Sequence, residues 1–172
     1  TAGWKYPSEQ PLPDSPSDPL WAEIIRQIAT DEDGGMADFR YWCTQSFWFF
    51  NRFCLSFGQL LCGEPDNPHF GKPWPDHPWI FARCNELQKD PDDQFHKWPR
   101  NSFKSALITQ NFTMWEWIRD VVPGQDGTSL RTLILTYKRD KTGEAFLLMV
   151  KREVESNPLM HAHWPDLFYA DP

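Results

Sequence analysis

The chain has 172 residues, a formal net charge of −7 and a sequence pI of about 5.1, which exclude a broadly basic surface that would bind nucleic acid by charge alone. Hydrophobic residues make up 40% of the chain, so its composition excludes an intrinsically disordered protein. The length suffices for one hydrophobic core of ordinary domain size.

Two elements are predicted at the N-terminal end. Residues 1–17 are acidic and rich in Pro and Ser, which is typical of a flexible arm. Asp18-Pro19 then suits the N-cap and first turn of a helix. The apolar residues that follow recur at helical spacing and are predicted to form its buried face: Leu20, Trp21, Ile24, Ile25 and Ile28.

Residues 36–62 are apolar at most helical positions, which predicts one long buried helix or two. Charged side chains such as Arg40 and Arg52 interrupt this stretch and argue against a membrane span. A proline-rich loop is predicted over 63–77. Asp76 is expected to cap a helix over about 78–89.

The chain has four cysteines, namely Cys43, Cys54, Cys62 and Cys84. Their spacings match no zinc motif, and no C-x-x-C pair occurs. We therefore expect buried free thiols, which suit a reducing compartment.

The central stretch from Trp98 to Ser105 has the groups that phosphate binding needs. A Lys-Ser pair opens a helix after a tight turn, and the backbone N–H groups of such a turn attract an anion together with the positive helix end. Lys104 adds a mobile positive charge, and the Ser105 hydroxyl can ligate magnesium. The usual loop, G-x-x-x-x-G-K-[ST], has glycine where this chain has Trp98 and Phe103.

A simpler interpretation of this stretch stays open. Pro99 would end one element, Asn101 or Ser102 would cap the next helix, and Lys104 would be a solvated residue of its first turn.

The flanking pattern favours a phosphate-binding α/β unit. We expect a strand over 94–98, a helix over 105–120 and a buried strand over 130–137. The predicted fold class is therefore α/β, with a P-loop NTPase-type parallel sheet flanked by helices and preceded by a helical N-terminal region.

A last helix is predicted from Asp140 to about Ser156, ended by Asn157-Pro158. Its charged residues Lys151, Arg152, Glu153 and Glu155 are expected on a solvated face, whereas Phe146, Leu147, Val150 and Val154 are expected on the apolar side. His161, His163 and Asp166 follow, and ordinary loop residues are favoured there over a metal site.

Several segments together resemble one family. The sequences "WPRNSFKSALIT", "WEWIRD", "LRTLILTYKRDKTGEAFLLMVKREVESNPL" and "HWPDLF" are similar to the ATPase domain of the large terminase subunit, the DNA-packaging motor of tailed bacteriophages. Members of that family often have an arginine four residues before the lysine and lack the standard glycines. The resemblance covers residues 75–172 well and the N-terminal part loosely.

The resemblance implies a set of site residues. Lys104 would hold the β- and γ-phosphates of ATP, Ser105 would hold Mg²⁺, and Arg100 would neutralise γ-phosphate charge. Backbone N–H groups from Asn101 through Ser102 and Phe103 to Lys104 would line the phosphates. His77, Trp79 and Arg83 lie where terminases contact adenine, although packing of Trp79 into the core, with His77 as a surface cap, is the favoured interpretation.

The resemblance also implies an assembly. The domains would be a Pro-rich arm at 1–17, a helical region at 18–90 and the first part of an ATPase core at 91–172. The whole enzyme would be a homo-oligomeric ring on the procapsid portal in the host cytoplasm, with double-stranded DNA, the portal protein and the small terminase subunit as partners and no membrane.

An apolar strand that ends in Asp-Glu, which would ligate magnesium and activate water, is absent from the sequence. We therefore expect the first part of an ATPase, inactive by itself. Two alternatives remain: a degenerate P-loop-like fragment that acts as a docking module without nucleotide, and another P-loop motor such as a helicase.

Overall fold

The computed structural model describes residues 12–31, 34–89, 97–99, 102–120 and 143–167. These ranges contain seven α-helices: α1 (Pro19–Thr30), α2 (Gly35–Gln45), α3 (Phe47–Phe49), α4 (Pro78–Lys89), α5 (Thr113–Asp120), α6 (Glu144–Ser156) and α7 (Pro158–His163). A first π-helix (Phe50–Cys54) continues α3, and a second (Ser105–Phe112) leads into α5. Two 3-10 turns complete the described elements, Ser56–Gln59 and Trp74–Asp76.

The predicted parallel sheet is wrong, because the described residues are helical and contain no β-strand. Their one β-type pairing is an isolated antiparallel bridge between Leu61 and Pro73. Residues 97–99, which overlap the strand predicted over 94–98, have no regular structure. That segment lacks the Val/Ile/Leu-rich run of a buried parallel strand, and the core is formed instead by helices packed on helices. The strand predicted over 130–137 lies outside the described residues.

The core is unusually aromatic. Trp21 of α1 packs against Trp48 and Phe49 of α3, with ring centroids 4.8 and 5.9 Å apart. A single buried cluster extends from Trp21 to Trp164 and therefore includes residues on both sides of position 90. The domain boundaries stay a prediction.

Three helix starts follow from short polar side chains that cap them. Asp18 Oδ1 accepts a hydrogen bond from the N–H of Leu20, and Ser46 Oγ accepts one from the N–H of Phe49. Asn157 both ends α6 and caps α7 through the N–H of Leu159. The helix predicted at Asp18-Pro19 is thus confirmed. Ser46 also shows why the apolar stretch 36–62 is divided rather than one helix, since its backbone is extended.

Asp76 does not have the predicted capping role. Its carboxylate accepts a 2.8 Å hydrogen bond from Arg52 Nε in a partly buried ion pair. The N–H of Trp79, in the first turn of α4, is bound by His77 Nδ1 instead. The 3-10 turn Trp74–Asp76 is therefore fastened to the first π-helix, and α4 begins two residues after Asp76.

The predicted faces of the last helix are wrong at two positions. Leu147, expected on the apolar side, is 66% exposed, whereas Glu153, expected in solvent, is only 6% exposed. Glu153 is buried because its carboxylate accepts hydrogen bonds from the N–H and hydroxyl of Ser56 and from Asn157 Nδ2.

The expectation of buried free thiols is confirmed, since all four cysteines are free and buried. No helix in the described part of the chain is long and apolar enough to cross a membrane.

Candidate functional site

The turn before the second π-helix has an uncommon backbone. Phe103 has a φ of 58°, and among the described non-glycine residues it alone has a positive φ. This region is unfavourable for a bulky side chain, and glycine adopts it freely. Lys104 next to it has right-handed helical angles, and the second π-helix begins at Ser105. Phe103 stands where standard phosphate loops have their second glycine.

The side chains of Lys104 and Ser105 face solvent. Both residues are exposed, whereas Leu107 in the next turn is fully buried. The N–H of Leu107 donates a 2.8 Å hydrogen bond to the carbonyl oxygen of Phe103, which joins the turn to the helix. The Ser102 hydroxyl donates to the carbonyl oxygen of Pro99 at 2.6 Å. Ser102 to Ser105 thus form a folded turn with a cation and a hydroxyl on its outside. Arg100 and Asn101 lie outside the described residues.

Two aromatic side chains enclose the Phe103 ring. Its centroid lies 4.9 Å from that of Trp74 and 5.4 Å from that of Phe57, with interplanar angles of 54° and 67°. Such tilted and edge-to-face contacts are favourable geometries for aromatic pairs. The sequence did not indicate this contact, because Phe57 and Trp74 are distant from Phe103 along the chain and lie in short 3-10 turns.

The three residues predicted to bind adenine are linked to this turn through other aromatic side chains. The ring of Trp79 packs edge-to-face against that of Trp98 at 5.1 Å, and the Arg83 guanidinium lies 5.9 Å from the centroid of Trp79. His77 reaches the same region through Trp74, at a centroid distance of 6.0 Å. Trp79 is 36% exposed, so it is not a core residue.

His77 is arranged as a neutral imidazole. Burial lowers its pKa, and neighbouring His69 lowers the pKa further. Because Nδ1 accepts the hydrogen bond from the N–H of Trp79, the neutral ring carries its proton on Nε2. His77 can therefore donate one hydrogen bond to a ligand such as a base edge.

Only part of the Arg83 guanidinium has a polar partner among the described residues. Its Nη1 forms an ion pair with Glu86 of the same helix. Its Nε is buried and has no hydrogen-bond partner among the described residues.

A separate cleft of about 680 Å³ lies between α2, α5 and the chain after α7. Arg40, Tyr41, Arg119, His163 and Trp164 are among the residues that line it. The Arg119 guanidinium forms a 2.8 Å ion pair with Glu116 and lies over the ring of Trp115. None of the described residues predicted to bind ATP lines this cleft.

Metal binding has little support from the described side chains. No three His, Cys, Asp or Glu residues among them are placed to hold a metal ion together. In the interpretation with His161, His163 and Asp166, the rings make other contacts: His161 Nε2 lies 2.5 Å from the carbonyl oxygen of Val154, and His163 stacks on Phe39 at 4.4 Å. Magnesium at Ser105 stays a prediction, in which phosphate oxygens and water would supply the other ligands.

Comparison with known protein families, with characterised proteins and with solved structures found no match to this chain. The resemblance to the large terminase subunit therefore rests on the sequence segments quoted for it, and no relative tests the roles that it implies.

Proposed function

We propose that this chain is the ATP-binding part of a phage large terminase subunit, whose ATPase drives double-stranded DNA into the capsid. The observation that carries the proposal is the positive φ of Phe103 directly before Lys104 and Ser105. A residue at the glycine position of a phosphate loop that adopts the conformation favoured by glycine preserves the turn although the glycine itself is absent.

The turn has the chemistry for a polyphosphate. A left-handed residue followed by a right-handed one directs successive backbone N–H groups towards one side, and such a concavity attracts anions. The exposed Lys104 would contact the β- and γ-phosphates, and the exposed Ser105 would ligate Mg²⁺. Arg100 would add a second positive charge at the γ-phosphate.

The neighbouring aromatic residues suit the other end of the nucleotide. Trp79 is partly exposed, with Trp98 packed edge-to-face on it and the Arg83 guanidinium over its ring, and the remaining exposed part of the ring would stack on a base. His77 Nε2–H would donate to the base edge. His77 contacts Trp74, which packs on Phe103, and Trp79 packs on Trp98, so both are linked to this region although 27 and 25 positions separate them from Lys104 in the sequence. These links favour one shared ligand over two unrelated features.

The activity of the whole protein belongs to the same proposal. The chain would form part of a homo-oligomeric ring at the procapsid portal in the host cytoplasm, with the portal protein and small terminase subunit as partners. ATP hydrolysis would need the Asp-Glu strand end that this sequence lacks. The chain by itself would bind ATP with Mg²⁺ and not turn it over.

A second candidate is a docking module that does not bind nucleotide. Leu147 and Leu148 of α6 favour it, because adjacent leucines that are 66% and 64% exposed are typical of a contact surface. The side chain of Phe103 favours it too, since standard loops have no side chain at that position.

Isothermal titration with a non-hydrolysable ATP analogue, with and without Mg²⁺, separates the two candidates. ATP binding predicts magnesium-dependent heat that Lys104→Ala abolishes. The matched control is Lys151→Ala, because Lys151 is an exposed lysine of α6 whose ion pair among the described residues is with Glu155. The absence of any binding by the unmodified chain at millimolar analogue would overturn the first candidate and leave the docking module.

A further inference from the structure

We infer that Trp74 and Phe57 are positioning residues of the ATP site, because they hold the backbone of Phe103 in its left-handed conformation. The inference rests on the proposed function of the turn. Neither residue would touch ATP. Both would act through the ring of Phe103, which they contact at 4.9 and 5.4 Å.

We call Trp74 and Phe57 the clamp on Phe103. A clamp is needed because Phe103 is not glycine. A β-carbon makes the left-handed region unfavourable, so a phenylalanine in isolation returns to negative φ. Such strained residues persist only where the surrounding structure determines their conformation. Here the Phe103 ring is partly buried and packs on Trp74 and Phe57. Those contacts would be lost if the backbone rotated, so they oppose the rotation.

Trp74 is itself held firmly. Its N–H donates to the carbonyl oxygen of Leu60 at 2.8 Å. The next residue, Pro75, accepts a 2.8 Å hydrogen bond from the buried indole Nε1 of Trp48. Asp76 binds Arg52 at 2.8 Å. Hydrogen bonds therefore hold the three consecutive residues Trp74 to Asp76 to earlier parts of the chain. Trp74, the first residue of the clamp, is thus rigid.

Phe57 is held equally well. Its ring is 5% exposed, and it lies between two residues with little freedom. The N–H of Ser56 donates to the buried carboxylate of Glu153 at 2.7 Å. A Cβ built on Gly58 would lie 2.1 Å from the carbonyl oxygen of Arg52, so this backbone approaches the first π-helix as closely as glycine allows. Phe57, the second residue of the clamp, is thus also held in place against the Phe103 ring.

The test uses the fact that glycine adopts a positive φ freely, whereas phenylalanine does not. Trp74→Ala and Phe57→Ala are made in the native chain and again in a Phe103→Gly background. In the native chain we expect each to weaken magnesium-dependent binding of the ATP analogue by about tenfold, the factor that corresponds to a left-handed strain of about 1–2 kcal/mol. In the Phe103→Gly background we expect less than a twofold change, because glycine needs no clamp. Phe70→Ala is the control, since Phe70 is 57% exposed.

Rescue by glycine is a result that a merely structural role would not produce. Equal losses in both backgrounds would overturn the inference while leaving the ATP site intact.

If the unmodified chain does not bind the analogue, the proposed function fails instead. The clamp is then tested by the backbone angle φ of Phe103. The sign of φ at Phe103 is read by NMR from the coupling constant between its amide and α protons together with the NOE between the same two protons, which is strongest near a φ of about +60° because the protons are then closest. We expect a positive φ in the native chain and a negative one in Trp74→Ala. A positive φ that survives in both Trp74→Ala and Phe57→Ala would refute the clamp.

Discussion

Asn111 Nδ2 donates a 2.5 Å hydrogen bond to Asn51 Oδ1, and this contact joins the two π-helices inside the core. Both side chains are almost fully buried, and Asn51 Nδ2 also donates to the carbonyl oxygen of Phe47. π-helices are uncommon, and a buried amide pair between two of them specifies how they pack.

The amide pair should be sensitive to removal of either partner. Asn111→Ala leaves Asn51 Oδ1 buried without its donor, which we expect to lower the free energy of unfolding by about 2 kcal/mol. Urea denaturation measures this change. Gln110→Ala, at the preceding, less buried position, should cost less than about 1 kcal/mol. The Asn51→Ala/Asn111→Ala double variant should lose less than the sum of the two single variants, and strict additivity would argue against coupling.

The buried carboxylate of Glu153 is a second stability determinant. Glu153→Ala removes the acceptor for Ser56 and Asn157, and we expect it to lower the free energy of unfolding by about 2–3 kcal/mol. Glu155→Ala is the matched control in α6, because the Glu155 side chain is 60% exposed and forms only a surface pair with Lys151. Thermal unfolding compares the two. Equal midpoints for both variants would contradict the role of Glu153.

The close approach at Gly58 predicts a strong effect of a single methyl group. Gly58→Ala would place Cβ 2.1 Å from the backbone oxygen of Arg52, and a backbone atom cannot move aside cheaply. We expect a loss of at least about 2 kcal/mol in unfolding free energy. At Gly63 a Cβ meets no atom within 4 Å, so Gly63→Ala should be nearly neutral. Denaturation curves of the two variants that coincide would show that the chain relaxes at Gly58.

Two histidines predict how stability depends on pH. Burial lowers the pKa of His77 and of His163 below the ordinary value of 6.5, with further contributions from His69 and Arg40 respectively. Below pH 6.5 the unfolded chain binds protons that the folded chain does not bind, so stability falls as the pH is lowered. Melting temperatures should therefore drop between pH 7.5 and 5.5. The drop should be smaller in the double variant His77→Gln/His163→Gln. An unchanged drop would show that other titratable groups cause the pH dependence of the melting temperature.

The buried cysteines predict a simple labelling result. All four thiols are free and buried, and burial raises the pKa of Cys43 and of Cys84, which suppresses the reactive thiolate. A thiol reagent such as Ellman's reagent should modify almost none in the folded protein and all four after denaturation. Rapid reaction of one thiol under native conditions would show that the segment around it opens locally.

The sequence by itself determined the local features. The cap at Asp18 located α1, and apolar spacing located α4 and the helix that leads into α5, because these features depend on neighbours within one or two turns. The same local chemistry singled out Lys104 and Ser105 as an exposed pair at a helix start.

Tertiary structure alone decided the rest. The predicted parallel sheet was wrong for the described residues, because residues 97–99 have no regular structure and the core is formed by aromatic helices that pack on one another. Glu153 is buried because Ser56, far away in the chain, supplies its hydrogen bonds. The left-handed turn at Phe103 depends on Trp74 and Phe57, whose positions are set by contacts with other segments. Long-range packing of this kind leaves no periodic signal in the sequence.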